Sequence, residues 1–170
     1  QKQGSSGTSI GVLFNNSGSV SVQEGALSLY GGGTQTGAFD VASGASLMFN
    51  GGGTHTGTYN VASNANLVFS GGGTHAASYN VGNASNLKFS GGGTIGGTYN
   101  LSSSSTLAMH SGTYDFNGTL ISSPGRFLIN GATVNMNVPY AGAGTLELAG
   151  ASGGLTMSGP LSTGQFIQSY

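Results

Sequence analysis

Of the 170 residues, 34 are glycine, none is cysteine and only 4% are charged, for a net charge of −1; about 25% is usual in a globular chain. Three Lys or Arg cannot neutralise a run of phosphates, which excludes a nucleic-acid surface. No apolar run approaches the ~20 residues of a membrane helix, and without cysteine there is neither a disulfide nor a thiolate metal site.

The chain opens at Gln1 without Met or a signal peptide, which fits a mature protein or an excised fragment. Residues 1–19 form a first segment whose apolar stretch, Ser9 to Phe14, sits off the spacing that follows. It is expected to cap the molecule or to add a strand to a neighbour's sheet, with capping preferred. Residues 20–161 repeat, most clearly over 30–109. Gly31, Gly51, Gly71 and Gly91 each open a Gly-Gly-Gly-Thr. Phe39, Tyr59, Tyr79 and Tyr99 follow at a spacing of twenty, as do Val41, Val61, Val81 and Leu101. The spacing also links Leu47, Leu67, Leu87, Leu107 and Phe127, and it links Phe49, Phe69, Phe89, Met109 and Ile129. One shortened step of nineteen reaches Leu148. Residues 162–170 form a C-terminal segment.

Within a unit the period is two. Leu87 and Phe89 flank Lys88, which is unfavourable to bury, so the lysine points out and its neighbours point in. Asp40, Asn60, Asn80 and Asn100 likewise separate an aromatic from an aliphatic residue. These pieces read as strands of four to six residues, with Gly clusters and Ser/Asn/Ala stretches as turns. The clear units read as strand pairs, and a third strand is expected only later, where Tyr114 and Phe116 precede Val134 and Met136 by twenty and then Leu155 and Met157 by a further twenty-one.

A short strand pair cannot bury its apolar face alone. If each unit is one coil of a parallel β-solenoid, like side chains fall on like side chains and the columns become a continuous core. A flexible Gly/Ser linker has no reason to keep 36% hydrophobic residues in register. A propeller needs blades of about 40 residues, and sandwich strands do not copy one another at fixed spacing. The expected fold is an all-β parallel solenoid of about eight coils, roughly 40 Å long at ~4.8 Å per coil. The crossover preference favours a right-handed one. The core is assigned to Leu47, Phe49, Tyr59, Val61, Leu67, Phe69, Tyr79, Val81, Leu87 and Phe89, and the glycines to corners.

The stretch "GTYNVASNANLVFSGGG" (Gly57 to Gly73) and its copies resemble the short β-helical repeats of bacterial surface and secreted proteins: filamentous-haemagglutinin-type adhesins, autotransporter passengers and exoprotein stalks. That resemblance, in period and composition, implies a right-handed β-helix acting as a stalk, adhesin or assembling fibre. It supplies no catalytic residues.

Enzymes on such folds use clustered carboxylates. Here the acids are Glu24, Asp40, Asp115 and Glu147, which share no column, so no enzyme and no cofactor are expected. His55 and His75 stack between Gln35 and Ile95, but a third ligand for a metal is missing, and a polar ladder beside a turn is the expected role. His110 is isolated and opens a turn. Thr34-Gln35-Thr36 and Thr54-His55-Thr56 resemble ice-binding ladders, yet Ala76 and Gly96 break the second column and the bulky middle residue argues against that use. Asn60, Asn80 and Asn100 form an amide ladder that stabilises a stack. The sequons at Asn15, Asn83 and Asn117 are expected by chance in so Asn- and Ser-rich a chain.

The outward column Met48, Val68, Lys88, Ala108, Leu128 is mostly apolar and is a possible contact stripe. Neither end shows a charge cluster or helical pattern, and almost no net charge opposes association. The expected function is structural: an extracellular or cell-surface fibre subunit, stalk or adhesin segment that self-associates head to tail or laterally. The alternative is a binding module for a surface glycan or ice, with a polysaccharide-active enzyme less favoured.

Overall fold

In a computed structural model, residues 1–122, 124–150 and 152–169 are described, and they form a parallel β-solenoid of about eight coils with no helix. Three sheets of nine, seven and six strands wrap one interior. A single coil shows how the sequence makes them. Gly53–His55 lies in the seven-stranded sheet, Thr58–Val61 in the six-stranded and Asn66–Phe69 in the nine-stranded. We name these the GTH, YNV and NLVF faces after the residues that recur on them.

Among the described residues every strand pairs with its neighbour in parallel, and through the clear units each residue meets its copy twenty positions on: Tyr59↔Tyr79↔Tyr99, Phe49↔Phe69↔Phe89 and Thr54↔Thr74↔Thr94. The third strand is therefore present in every clear coil, not only in the later ones. Its three residues carry one inward side chain, as at His55 and His75, so the alternation that marks a strand never appears in the sequence.

The corners explain the rest of the motif. A methyl group at Gly73 would overlap the carbonyl oxygen of Gly53, and one at Gly93 the carbonyl oxygen of Gly73. Backbones of successive coils meet too closely there for any side chain. Between the YNV and NLVF faces the chain reverses in four residues. Ala45 N–H donates to the Ala42 carbonyl at 3.0 Å, and Ala65 to Ala62 at 3.2 Å. In three of these turns the third residue is left-handed, with φ of 76° at Gly44, 62° at Asn64 and 55° at Ala84, as a type II turn requires.

Aromatic columns fill the core. Phe39, Tyr59, Tyr79 and Tyr99 stack with centroids 5.1, 5.2 and 4.9 Å apart. Phe49, Phe69 and Phe89 stack at 5.0 and 5.1 Å and meet the first column edge-on, as at 5.7 Å between Tyr59 and Phe69. Leu47, Leu67, Leu87, Val61 and Val81 are buried beside them. Offset and edge contacts of this kind stabilise beyond area burial alone.

The later coils depart from the strict spacing. Thr94 pairs with Asp115, a step of twenty-one, and between Tyr99 and Asn100 the register slips once more. Thr106↔Arg126 restores twenty, and Arg126↔Thr145 shortens to nineteen. The strands Tyr140–Ala149 and Leu161–Ser169 then run through the corner that earlier coils turn. At the other end Thr8–Ile10 pairs with Leu27–Leu29 on the NLVF face, and Lys2 and Asn16 bridge to the other two faces, so residues 1–18 wrap as an outer coil. Tyr170, the last residue of the C-terminal segment, lies outside the described residues.

Candidate functional site

A polar seam runs through the interior where the GTH strands end. Gln35, His55 and His75 point inward there, with Ile95 next in the column. The Tyr59 hydroxyl lies 2.7 Å from Nδ1 of His55, and with a neutral imidazole protonated on Nε2 it donates to that nitrogen. Nδ1 of His75 and the hydroxyls of Tyr79 and Tyr99 are buried without a hydrogen-bond partner. Burial holds His55 down at about 4 and His75 at about 3, the latter with a further push from His55 itself. It drives the three tyrosine hydroxyls well above their ordinary range. Among the described residues no group of three His, Cys, Asp or Glu is placed to hold a metal ion.

Four residues after the inward position stand Phe39, Tyr59, Tyr79 and Tyr99, opposite Gln35, His55, His75 and Ile95; the His55–Tyr59 pair is hydrogen-bonded, the His75–Tyr79 pair is not, and the Gln35 side-chain amide donates to the Phe14 carbonyl. The spacing of four places a histidine beside a tyrosine in two coils, and only His55 and Tyr59 are hydrogen-bonded.

The outer surface of the YNV face carries the amide ladder. Asn80 Nδ2 donates to Asn60 Oδ1 at 2.9 Å, and Asn60 Nδ2 to Asp40 Oδ1 at 2.8 Å. Each amide thereby uses one donor and keeps a second. Beside the ladder, Ala42, Ala62, Gly82 and Ser102 form the floor of a groove of about 520 Å³ that runs across the coils. Nothing in the sequence signals this groove.

The acids stay apart. Asp40 and Asp115 are exposed on different faces, Asp115 accepting from Asn135 Nδ2 at 2.9 Å. Glu147 pairs with Arg126 at 2.7 Å on the NLVF face. His110 ends a strand just before the left-handed Ser111 and Gly112. In the outward NLVF column, Met48, Val68 and Lys88 are half-buried, while Ala108 and Leu128 are only 5% and 8% exposed. The stripe faces outward but is recessed between its neighbouring polar columns.

On the GTH face Thr34, Thr36, Thr54 and Thr56 all point outward and exposed, while Gln35 and His55 are buried. The bulky middle residue therefore does not obstruct that surface. The interruption at Ala76 and Gly96 remains.

Apolar surface is exposed at both ends of the described stack. At the first coil Val12 and Leu13 are 72% and 65% exposed, and the half-buried Ile10, Phe14 and Val20, with the buried Leu27, line an opening of about 370 Å³. Leu161 and Phe166 are 44% and 47% exposed on the last. Comparison with protein-family models, curated proteins and solved structures gives no match for the chain.

Proposed function

We propose that the chain is a structural rod of an extracellular or cell-surface assembly, a fibre subunit or a stalk or adhesin segment, and that it associates with further copies through its terminal coils. The observation that carries this reading is the exposed apolar surface on the outer coils, Val12 and Leu13 at one end and Leu161 and Phe166 at the other, at the edges of parallel sheets. A parallel edge is a template for one more coil. A second copy supplies it head to tail, and such a contact does not close on itself, so it builds a filament. The low charge leaves little repulsion to oppose it. With its acids on separate faces, the rod works mechanically rather than catalytically. Negative-stain electron microscopy of the purified chain tests this: filaments that lengthen with protein concentration are expected. Monodisperse rods of about one chain length at every concentration would overturn it.

A second reading, recognition at an outer face, draws on the groove beside the amide ladder. Its free amide donors and the Asp40 carboxylate suit the hydroxyls of a neutral linear glycan lying along the rod. Calorimetric titration with such glycans, against the Asn60→Ala and Asn80→Ala variants, tests it, and no heat with any of them ends it. The outward Thr columns favour ice instead, for which thermal hysteresis is the assay.

A further inference from the structure

Rod building does not call for the histidines at the centre of this molecule. His55 and His75 lie one above the other, centroids 4.9 Å apart and planes 6° from parallel, and are only 2% and 1% exposed. Phe49, Phe69 and Phe89 close on them edge-on at 4.6 to 4.8 Å. The fold does not require imidazole in this column, since Gln35 and Ile95 fill the same place in adjoining coils.

The surroundings offer nothing to balance a positive charge. From the YNV face the titratable groups facing the pair are the Tyr59 and Tyr79 hydroxyls; from the NLVF face there are only the phenylalanine rings; above and below stand Ile95 and Gln35. The charged residues on these strands, Asp40 and Lys88, both point away from the interior. Neutral, the pair is two more stacked rings. Protonated, it is two cations about one coil apart, roughly 5 Å, in an apolar interior.

We propose that the stacked His55–His75 pair is an acid-sensitive latch: it holds the middle coils together while both rings are neutral and parts them when protons arrive. The inference rests on the solenoid and not on the assembly reading above. Burial already lowers both histidines, to about 4 and about 3. An unfolded histidine takes up its proton near 6.5. As pH falls below that value the unfolded chain binds protons that the folded chain refuses, so stability is full above about 6.5 and is lost toward 4 and 3. Each histidine of this kind lowers the ratio of folded to unfolded chain about tenfold per pH unit within that window. The pair gives about a hundredfold, and the coils that carry it should open first.

The test is urea unfolding between pH 7 and 4.5 of the natural chain, of His55→Gln, and of His55→Gln with His75→Ile; the new residues are those already present one coil away. The slope of the logarithm of the unfolding constant against pH should fall by about one proton in the single variant and about two in the double. His110, also lowered by burial, is present in all three proteins and cancels. Should the double variant not fold, the single variant and the ring nitrogen shifts of the natural chain, read by NMR, carry the test. Equal slopes would overturn the latch. So would ring shifts showing both histidines charged above pH 6 while amides of residues 53–81 stay protected.

Discussion

Phe69 sits at the crossing of three columns, and its truncation should report on all of them at once. Its ring stacks on Phe49 and Phe89 at 5.0 and 5.1 Å. It meets His55 and His75 edge-on at 4.7 and 4.6 Å, and Tyr59 and Tyr79 at 5.7 and 6.1 Å. Phe69→Ala removes the ring and leaves a cavity that parallel sheets pinned on three sides collapse into poorly. A buried Phe→Ala change costs about 3–5 kcal/mol, and the lost aromatic pairs, ~0.5–1.5 kcal/mol each, place this one at the upper end, near 5. Phe69→Leu should be far milder, about 1–1.5 kcal/mol, because Leu29 and Met109 already occupy this column in other coils. Urea unfolding followed by far-ultraviolet circular dichroism measures both. If Ala and Leu cost the same, or Ala costs under about 1 kcal/mol, the ring is not at the centre of a packed column and the core assignment fails.

Two of the three tyrosine hydroxyls of the seam should respond with opposite signs. Tyr59→Phe removes the partner of His55 and should destabilise by about 1–2 kcal/mol, whereas Tyr99→Phe removes a buried hydroxyl without a partner and should stabilise by up to about 1 kcal/mol; thermal melts of the pair decide it. Ala84 holds φ of 55° in a turn whose equivalent is Gly44, so Ala84→Gly should raise stability by about 1 kcal/mol, and a loss would contradict the turn assignment. Gly73→Ala, with its methyl forced onto the Gly53 carbonyl, should destabilise by several kcal/mol, of order 3, seen as a lowered urea midpoint.

The fold was legible wherever two inward residues alternate within one strand. Tyr59 with Val61, and Leu67 with Phe69, announce both strand and direction, and the identical spacing of their copies announces the stack. The GTH strands were legible only in part. A Gly-Thr-His strand shows one inward side chain, and the third face first becomes visible where Tyr114 and Phe116 supply two. The contact stripe had the right parity but not the right exposure, since the burial of Leu128 comes from neighbouring columns that a linear reading cannot rank by height. The groove beside Asn60 and Asn80 depends on the relative heights of residues on neighbouring strands and turns, which no residue type encodes. The His55–Tyr59 bond was not legible, since the same spacing sets His75 beside Tyr79 without a bond.

Ring-to-ring nuclear Overhauser contacts among selectively labelled tyrosines test the stacking of coils most directly. Tyr59 and Tyr79 lie 5.2 Å apart and Tyr79 and Tyr99 4.9 Å apart, so both pairs should give cross-peaks. Tyr59 and Tyr99, two coils apart at about 10 Å, should give none. Missing peaks for the adjacent pairs, or a direct peak between Tyr59 and Tyr99, would mean that consecutive twenty-residue units do not lie one upon the next.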